Sequence, residues 1–308
     1  MQKIIPHLWF DKEAREAAAL YTSVFPDSEA IHTTLLRNTP SGDCDLVSFR
    51  LWHQEFMAIS AGPLFPMNPS VSFIVNYDPL LFRSSAHPEQ TARESLDRAW
   101  EKLMEGGKAL MPLDTYPFSK HYGWLQDRYG VSWQLMLTDP SGEPRPPIVP
   151  SLMFTGAKVG KAEEALQFYT SVFRHAKQGN IHRYPAGMPP DKEGTVMYAD
   201  CKLEDKWFAL MDSAHEHGFD FNESISFMIT CADQEEVDYY WEKLSAVPEA
   251  EQCGWIKDKF GLSWQITSAE METLMREGTQ EQIDRITQAF LPMKKLDIAQ
   301  IKAAAGKG

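Results

Sequence analysis

Cysteine is scarce in this chain of 308 residues: Cys44, Cys201, Cys231 and Cys253 are the only four, and no two form a C-x-x-C pair. Such spacing excludes a disulfide framework and the common zinc-site patterns, and leaves reduced, buried thiols as the expectation. Positive charge is also in short supply. Thirty Lys and Arg face 43 Asp and Glu, a formal net charge of −13. Nucleic-acid backbones and anionic membrane surfaces select clustered Lys and Arg, so neither is an expected partner. No apolar run approaches the ~18 residues that span a bilayer. The opening Met1-Gln2-Lys3-Ile4-Ile5-Pro6 has no apolar leader core and leads straight into a strand-like segment. Nor is there a glycine-rich strand-to-helix turn of the kind that cradles a nucleotide-like cofactor. What is present, 43% hydrophobic and 24% charged residues, supports a packed core. The expectation is a soluble, cytoplasmic, globular protein.

The chain repeats itself. Ile4-Ile5-Pro6-His7-Leu8-Trp9-Phe10 returns as Ile148-Val149-Pro150-Ser151-Leu152-Met153-Phe154, and Tyr21-Thr22-Ser23-Val24-Phe25 returns unchanged from Tyr169 to Phe173. Ser70 to Asn76 returns as Ser224 to Thr230, and Trp100-Glu101-Lys102-Leu103 as Trp241 to Leu244. The longest match sets Gly123 to Gln134 against Gly254 to Gln265, with Gly, Trp, Asp, Gly, Ser, Trp and Gln in register. Five segments in one order are a duplication. The copies are expected as domains over 1–140 and 148–270, joined by a proline-rich linker over 141–147.

Within one copy the pattern itself restarts. A short apolar strand ends at Phe10 or Phe154, and apolar residues then fall at helical spacing from Ala14 to Phe25 and from Ala162 to Phe173. Strand-like runs follow over 46–52 and 56–60, and over 196–202 and 207–211. Then come a second strand (70–76), a second helix (90–104, with Leu96, Ala99, Trp100 and Leu103 inward) and two closing strands. Their hairpin turns at Asp127-Arg128-Tyr129-Gly130 and at Asp258-Lys259-Phe260-Gly261. Residues 271–308 read as a helical extension, with Ile283, Ile286, Phe290 and Met293 forming a face packed on the body.

The P-x-L-x-F strand, the Y-x-S-x-F helix end and the G-W-x-x-D-x-[FY]-G-[VL]-S-W-Q hairpin resemble the PhnB-like branch of the glyoxalase/bleomycin-resistance/dioxygenase superfamily. That superfamily is also called vicinal oxygen chelate, and the branch is called 3-demethylubiquinone-9 3-methyltransferase-like. The resemblance covers nearly the whole chain and includes the tail from Phe290 to Ile298. It implies an α+β fold of tandem glyoxalase-like domains, each of two paired βαβββ modules around one ligand cavity. In metal-dependent relatives, His or Glu side chains stand on the first and last strand of each module. By resemblance those positions fall near Ile5, Ala58 to Ser60, Ser70 and Gln134, and near Val149, Leu210 to Asp212, Ser224 and Gln265. Asp212 is the one strong donor among them, so the resemblance implies no metal and no cofactor here.

Strand alternation puts Ile5, His7 and Trp9 on the cavity face if Leu8 and Phe10 pack under the helix. His7 then reads as a polar handle or a general base near neutral pH, or else as a satisfied core histidine; the second copy has Ser151 there. Gln134 and Gln265, with Ser132 and Ser263 beside them, suit hydrogen bonding to a ligand oxygen or to the sheet itself. Trp124 and Trp255 line a wall or pack across strands. The candidate ligand-binding set is His7, Trp9, Ser70, Ser72, Trp124, Ser132 and Gln134, with Met153, Ser224, Ser226, Trp255, Ser263 and Gln265. Trp133 and Trp264 read as core, and His215-Glu216-His217 as a loop rather than a chelate. The expected function is metal-independent binding of a small, partly apolar molecule. The alternative is an enzyme of the superfamily: a lyase, a dioxygenase or the methyltransferase of the branch name. The two copies are expected to contact each other as an intrachain pseudo-dimer in a monomeric chain.

Overall fold

A computed structural model describes residues 2–139 and 145–306. Residues 141–144 of the linker lie outside the described residues. Its end is held: Asn76 donates through its backbone N–H to the Pro147 carbonyl at 2.7 Å and through Nδ2 to the Pro146 carbonyl at 2.9 Å.

Four strand-helix-strand modules follow one another. The first is β1 (Ile4–Phe10), α1 (Ala14–Val24), β2 (Glu29–Thr39), β3 (Gly42–Leu51) and β4 (Gln54–Ser60). The second is β5 (Val71–Tyr77), α2 (Pro88–Met104), β6 (Lys108–Tyr116), β7 (Ser119–Gln126) and β8 (Ser132–Leu137). The third is β9 (Ile148–Phe154), α3 (Ala162–Val172), β10 (Lys177–Arg183), β11 (Val196–Leu203) and β12 (Lys206–Asp212). The fourth, β13 (Ile225–Cys231), α4 (Gln234–Leu244), β14 (Trp255–Lys257) and β15 (Ser263–Ser268), keeps the order with one strand fewer. In every module the first and last strands lie side by side and parallel. Helix faces cover the sheets as the spacing requires: Ala14, Ala17, Ala18 and Tyr21 of α1 and Ala162, Ala165, Leu166 and Tyr169 of α3 are all buried.

The modules pair across the two copies. One compact unit comprises residues 2–22, 27–66 and 221–306, and its sheet runs β14-β15-β13-β1-β4-β3-β2. The other comprises Ser23–Pro26 and Met67–Asp220, with the order β10-β11-β12-β9-β5-β8-β7-β6. The first module of each copy therefore joins the second module of the other. The junctions are antiparallel: β1 on β13 with His7 opposite Ser226, and β5 on β9 with Ser72 opposite Ser151. The repeat lies in the sequence, but the spatial units cut across it. The reason is physical: β5 and β13 share the same apolar pattern, so local pattern cannot tell β1 which of them to pair with.

Two further differences concern edges. Strands β2, β6 and β10, which alternation did not reveal, lie at or near sheet edges and are largely exposed. The tail forms three helices, α5 (Ala269–Glu277), α6 (Gln280–Phe290) and α7 (Ile298–Gly306). A capping box of Thr279 and Gln282 starts α6, whose Ile283, Ile286 and Phe290 are buried in the first unit. Met293 lies past the helix but packs on the same cluster. Among the described residues no helix is long and apolar enough to cross a membrane.

Candidate functional site

Each unit carries a cavity on the face of its sheet opposite the module helices, and the two are unequal. In the second unit it has about 640 Å³. Its walls are apolar and soft: Met111, Met136, Met153, Met197 and Met211 alternate with Phe118, Tyr122, Trp124, Tyr184 and Tyr198. Gln134 is the polar centre of this surface. Its Nε2 donates to the Ser72 hydroxyl at 2.8 Å, while its Oε1 accepts the Tyr122 hydroxyl at 2.8 Å. An amide has two donor and two acceptor sites, so one of each remains for a ligand. Burial pushes the Tyr122 and Tyr198 hydroxyls well above their usual pKa and that of Tyr184 up to about 12, so all three are neutral donors. Ile74, His182, Asp212, Ser213, His215 and His217 complete the lining. His217 Nε2 lies 2.8 Å from the Ser213 hydroxyl, and His215 faces Asp191 at 3.6 Å.

A more polar recess of about 460 Å³ adjoins this cavity, sharing Ile74, Met136 and Tyr198 with it. There Arg145 donates to Asp200 at 2.9 Å and its guanidinium sits 3.8 Å over the Trp207 ring.

In the first unit the corresponding cavity is only about 140 Å³. His7, Trp9, Trp255 and Gln265 line it. The Trp9 and Trp255 rings meet edge-on at 5.9 Å, and the His7 ring meets Trp255 at 5.6 Å. His7 is 2% exposed and its Nδ1 has no hydrogen-bond partner. Burial lowers its pKa to about 3, which favours the neutral ring at pH 7. Gln265 Nε2 donates to Ser226 at 2.9 Å, as Gln134 does to Ser72.

The candidate residues thus separate by unit rather than by copy. Met153 of the second copy joins Trp124 and Gln134 of the first; Trp255 and Gln265 of the second join His7 and Trp9 of the first. Ser72, Ser132 and Ser226 stand behind the walls and accept hydrogen bonds from Gln134, Trp124 and Gln265. Ser70 and Ser224 hold strand entrances, bonded to Asn68 and Asn222. Ser263 is buried without lining either cavity. Sequence reasoning missed Met111 and Phe118, on or beside β6, and His182 on β10, because those edge strands carry no apolar alternation. It also missed His215 and His217 as wall residues, because they lie in the loop that follows β12 and carry no strand pattern.

The metal-ligand positions of this fold do not fit an ion here. Ser60 Oγ accepts the Ala14 N–H at 3.1 Å, and Asp212 accepts those of Gly160, Ala162 and Val196 at 2.7, 3.2 and 3.0 Å. Both side chains are committed to backbone N–H groups, Ser60 at the start of α1 and Asp212 at the starts of α3 and β11. Gln134 and Gln265 are neutral, and among the described residues no three His, Cys, Asp or Glu converge as a metal set would.

Comparison with known proteins places these features. The profile of the family described as 3-demethylubiquinone-9 3-methyltransferase matches twice, over residues 2–136 and 146–267. The PhnB protein of Bacillus cereus is 37% identical over 44% of this chain and 100% of its own, with a TM-score of 0.38. A protein from Staphylococcus aureus is 30% identical over 45% of this chain and 98% of its own, with a TM-score of 0.17. Glyoxalase I from Zea mays is 12% identical over 90% of this chain and 98% of its own, with a TM-score of 0.52, a likeness of fold. No curated protein matches.

Proposed function

This chain belongs to the family described as 3-demethylubiquinone-9 3-methyltransferase, with the glyoxalase fold, and from that premise we propose that it binds one small, planar, partly apolar molecule in the cavity of its second unit. The observation that carries the reading is a cavity of about 640 Å³ walled by methionines and aromatics around the single amide of Gln134. A volume of that size suits a small organic ligand. Thioether and ring faces grip a flat ring, and the free Nε2–H of Gln134 donates to one ring oxygen; where that oxygen carries a hydroxyl, it donates in turn to the free lone pair of Oε1. The quinone in the family's description is of that class.

No divalent ion enters this reading, because the residues at the ligand positions are amides, hydroxyls and a carboxylate bound to backbone. Free thiols, three of the four buried, fit the reducing conditions of the cytoplasm. We propose a monomer, since the tail's apolar face is covered within the chain.

The test is calorimetry against a panel of quinones and phenols. Met153→Trp, which fills the cavity, should abolish heats seen with the native protein. Gln134→Leu should weaken binding about tenfold or more, as the loss of a buried hydrogen-bonding partner does. Native protein that binds no member of the panel, or a Met153→Trp variant that binds equally well, would sink the proposal.

A further inference from the structure

The difference between the two cavities comes from the tail. The surface that stays open in the second unit is covered in the first by Met271 and Met275 of α5, Phe290 of α6 and Leu296. Beneath that cover the sheet keeps the arrangement of the larger cavity: Trp255 and Gln265 stand where Trp124 and Gln134 stand, with Gln265 bonded to Ser226 as Gln134 is to Ser72. The fit of the cover is incomplete. The buried Nδ1 of His7 lacks a partner, unusual for an interior polar atom in a packed core. About 140 Å³ stays empty around it. The tail also brings a carboxyl group, that of Glu272, into the lining of this apolar cavity, where it accepts the Thr230 hydroxyl at 2.5 Å.

We propose that the first unit holds a second, latent site for a small, partly apolar molecule, and that α5–α7 is its built-in, displaceable occupant. The ligand class rests on the reading of the second unit; the displaceable tail does not. Glu272 weakens the closed state. Desolvation raises its pKa to about 7, and Glu55 on β4 adds to the rise. The Thr230 hydrogen bond, then Arg276 on α5 and Lys3, itself paired with Glu236 of α4 at 2.6 Å, only partly offset it. Ionised Glu272 is solvated when the tail lifts, so opening becomes easier as pH rises through 7. His7 lines the same space and works the other way, since its protonation at lower pH also favours an open, solvated state.

Hydrogen exchange of α5–α7 in the full chain and in Glu272→Gln separates the two groups, because His7 is common to both proteins. The ratio of opening constants, native over variant, should rise about tenfold between pH 6 and pH 8.5. An unchanged ratio overturns the pH-linked release. The site itself is tested with the fluorescent probe anilinonaphthalene sulfonate and Met275→Asp, which puts a charge into the covering contact. This variant should bind one more probe molecule per chain than the native protein while β1 and β13 keep their exchange protection. An equal stoichiometry with a released tail overturns the latent site. The difference of one holds even if the native protein binds none, an outcome that would count against the second-unit reading alone. If β1 and β13 lose protection, the tail is a fixed part of the core and the proposal falls.

Discussion

Asp127 and Asp258 show how much chemistry a short motif can carry. Each carboxylate accepts two backbone N–H groups of its own turn, Tyr129 and Val131 or Phe260 and Leu262, and its second oxygen accepts the indole N–H of Trp133 or Trp264 at 2.9 Å. Gly130 and Gly261, at φ +86° and +84°, close the turns. All of this is local, so the spacing of Asp, Gly and Trp predicted both the turn and the burial of the tryptophans. His7 was different. Alternation placed it on the cavity face correctly, but its protonation state depends on burial that only the fold imposes. Its folded pKa lies below the unfolded value of about 6.5, so the unfolded state takes up the proton first and stability falls with acidification below pH 6.5. Native protein should therefore lose about 3 kcal/mol more than His7→Asn between pH 7 and pH 4. Urea unfolding at the two pH values measures this; equal losses would show that His7 is not held neutral.

At the level of elements, strand ends that resemble metal positions prove to be helix caps. Ser60 satisfies one N–H at the start of α1, whereas Asp212 satisfies two at the start of α3, near the positive end of the helix, and a third at the start of β11. Loss of these groups should differ accordingly: Asp212→Ala should cost about 3 kcal/mol and Ser60→Ala about 1 kcal/mol, read from denaturant midpoints. An Asp212→Ala variant of native stability would reopen a role for that carboxylate in the cavity. Sequence could propose Asp212 as a strong donor, but which atoms its oxygens reach is a matter of how β12 meets α3. The edge strands make a related point. Their side chains face water on one side, so β2, β6 and β10 lack the pattern by which inner strands are recognised, and with them went several wall residues.

For the whole molecule, the consequence of crosswise pairing is that each copy is a poor folding unit by itself. The copies are tied by β1 on β13 and β5 on β9, so the covalent linker is not what holds them together. A protease site inserted in the 141–147 segment and then cleaved should give two fragments that co-elute and keep their cooperative unfolding. Separation of the fragments under native conditions would contradict the pairing. The sequence by itself determined the duplication, the module order, the helix faces and the hairpins, because each follows from contacts between residues near one another in the chain. Only the tertiary structure decided which module pairs with which, that one cavity is open while the tail covers the other, and that His7 is neutral. Those outcomes depend on contacts between segments far apart in the chain, where near-identical repeats offer the same local pattern to more than one partner and burial is set by whatever packs above.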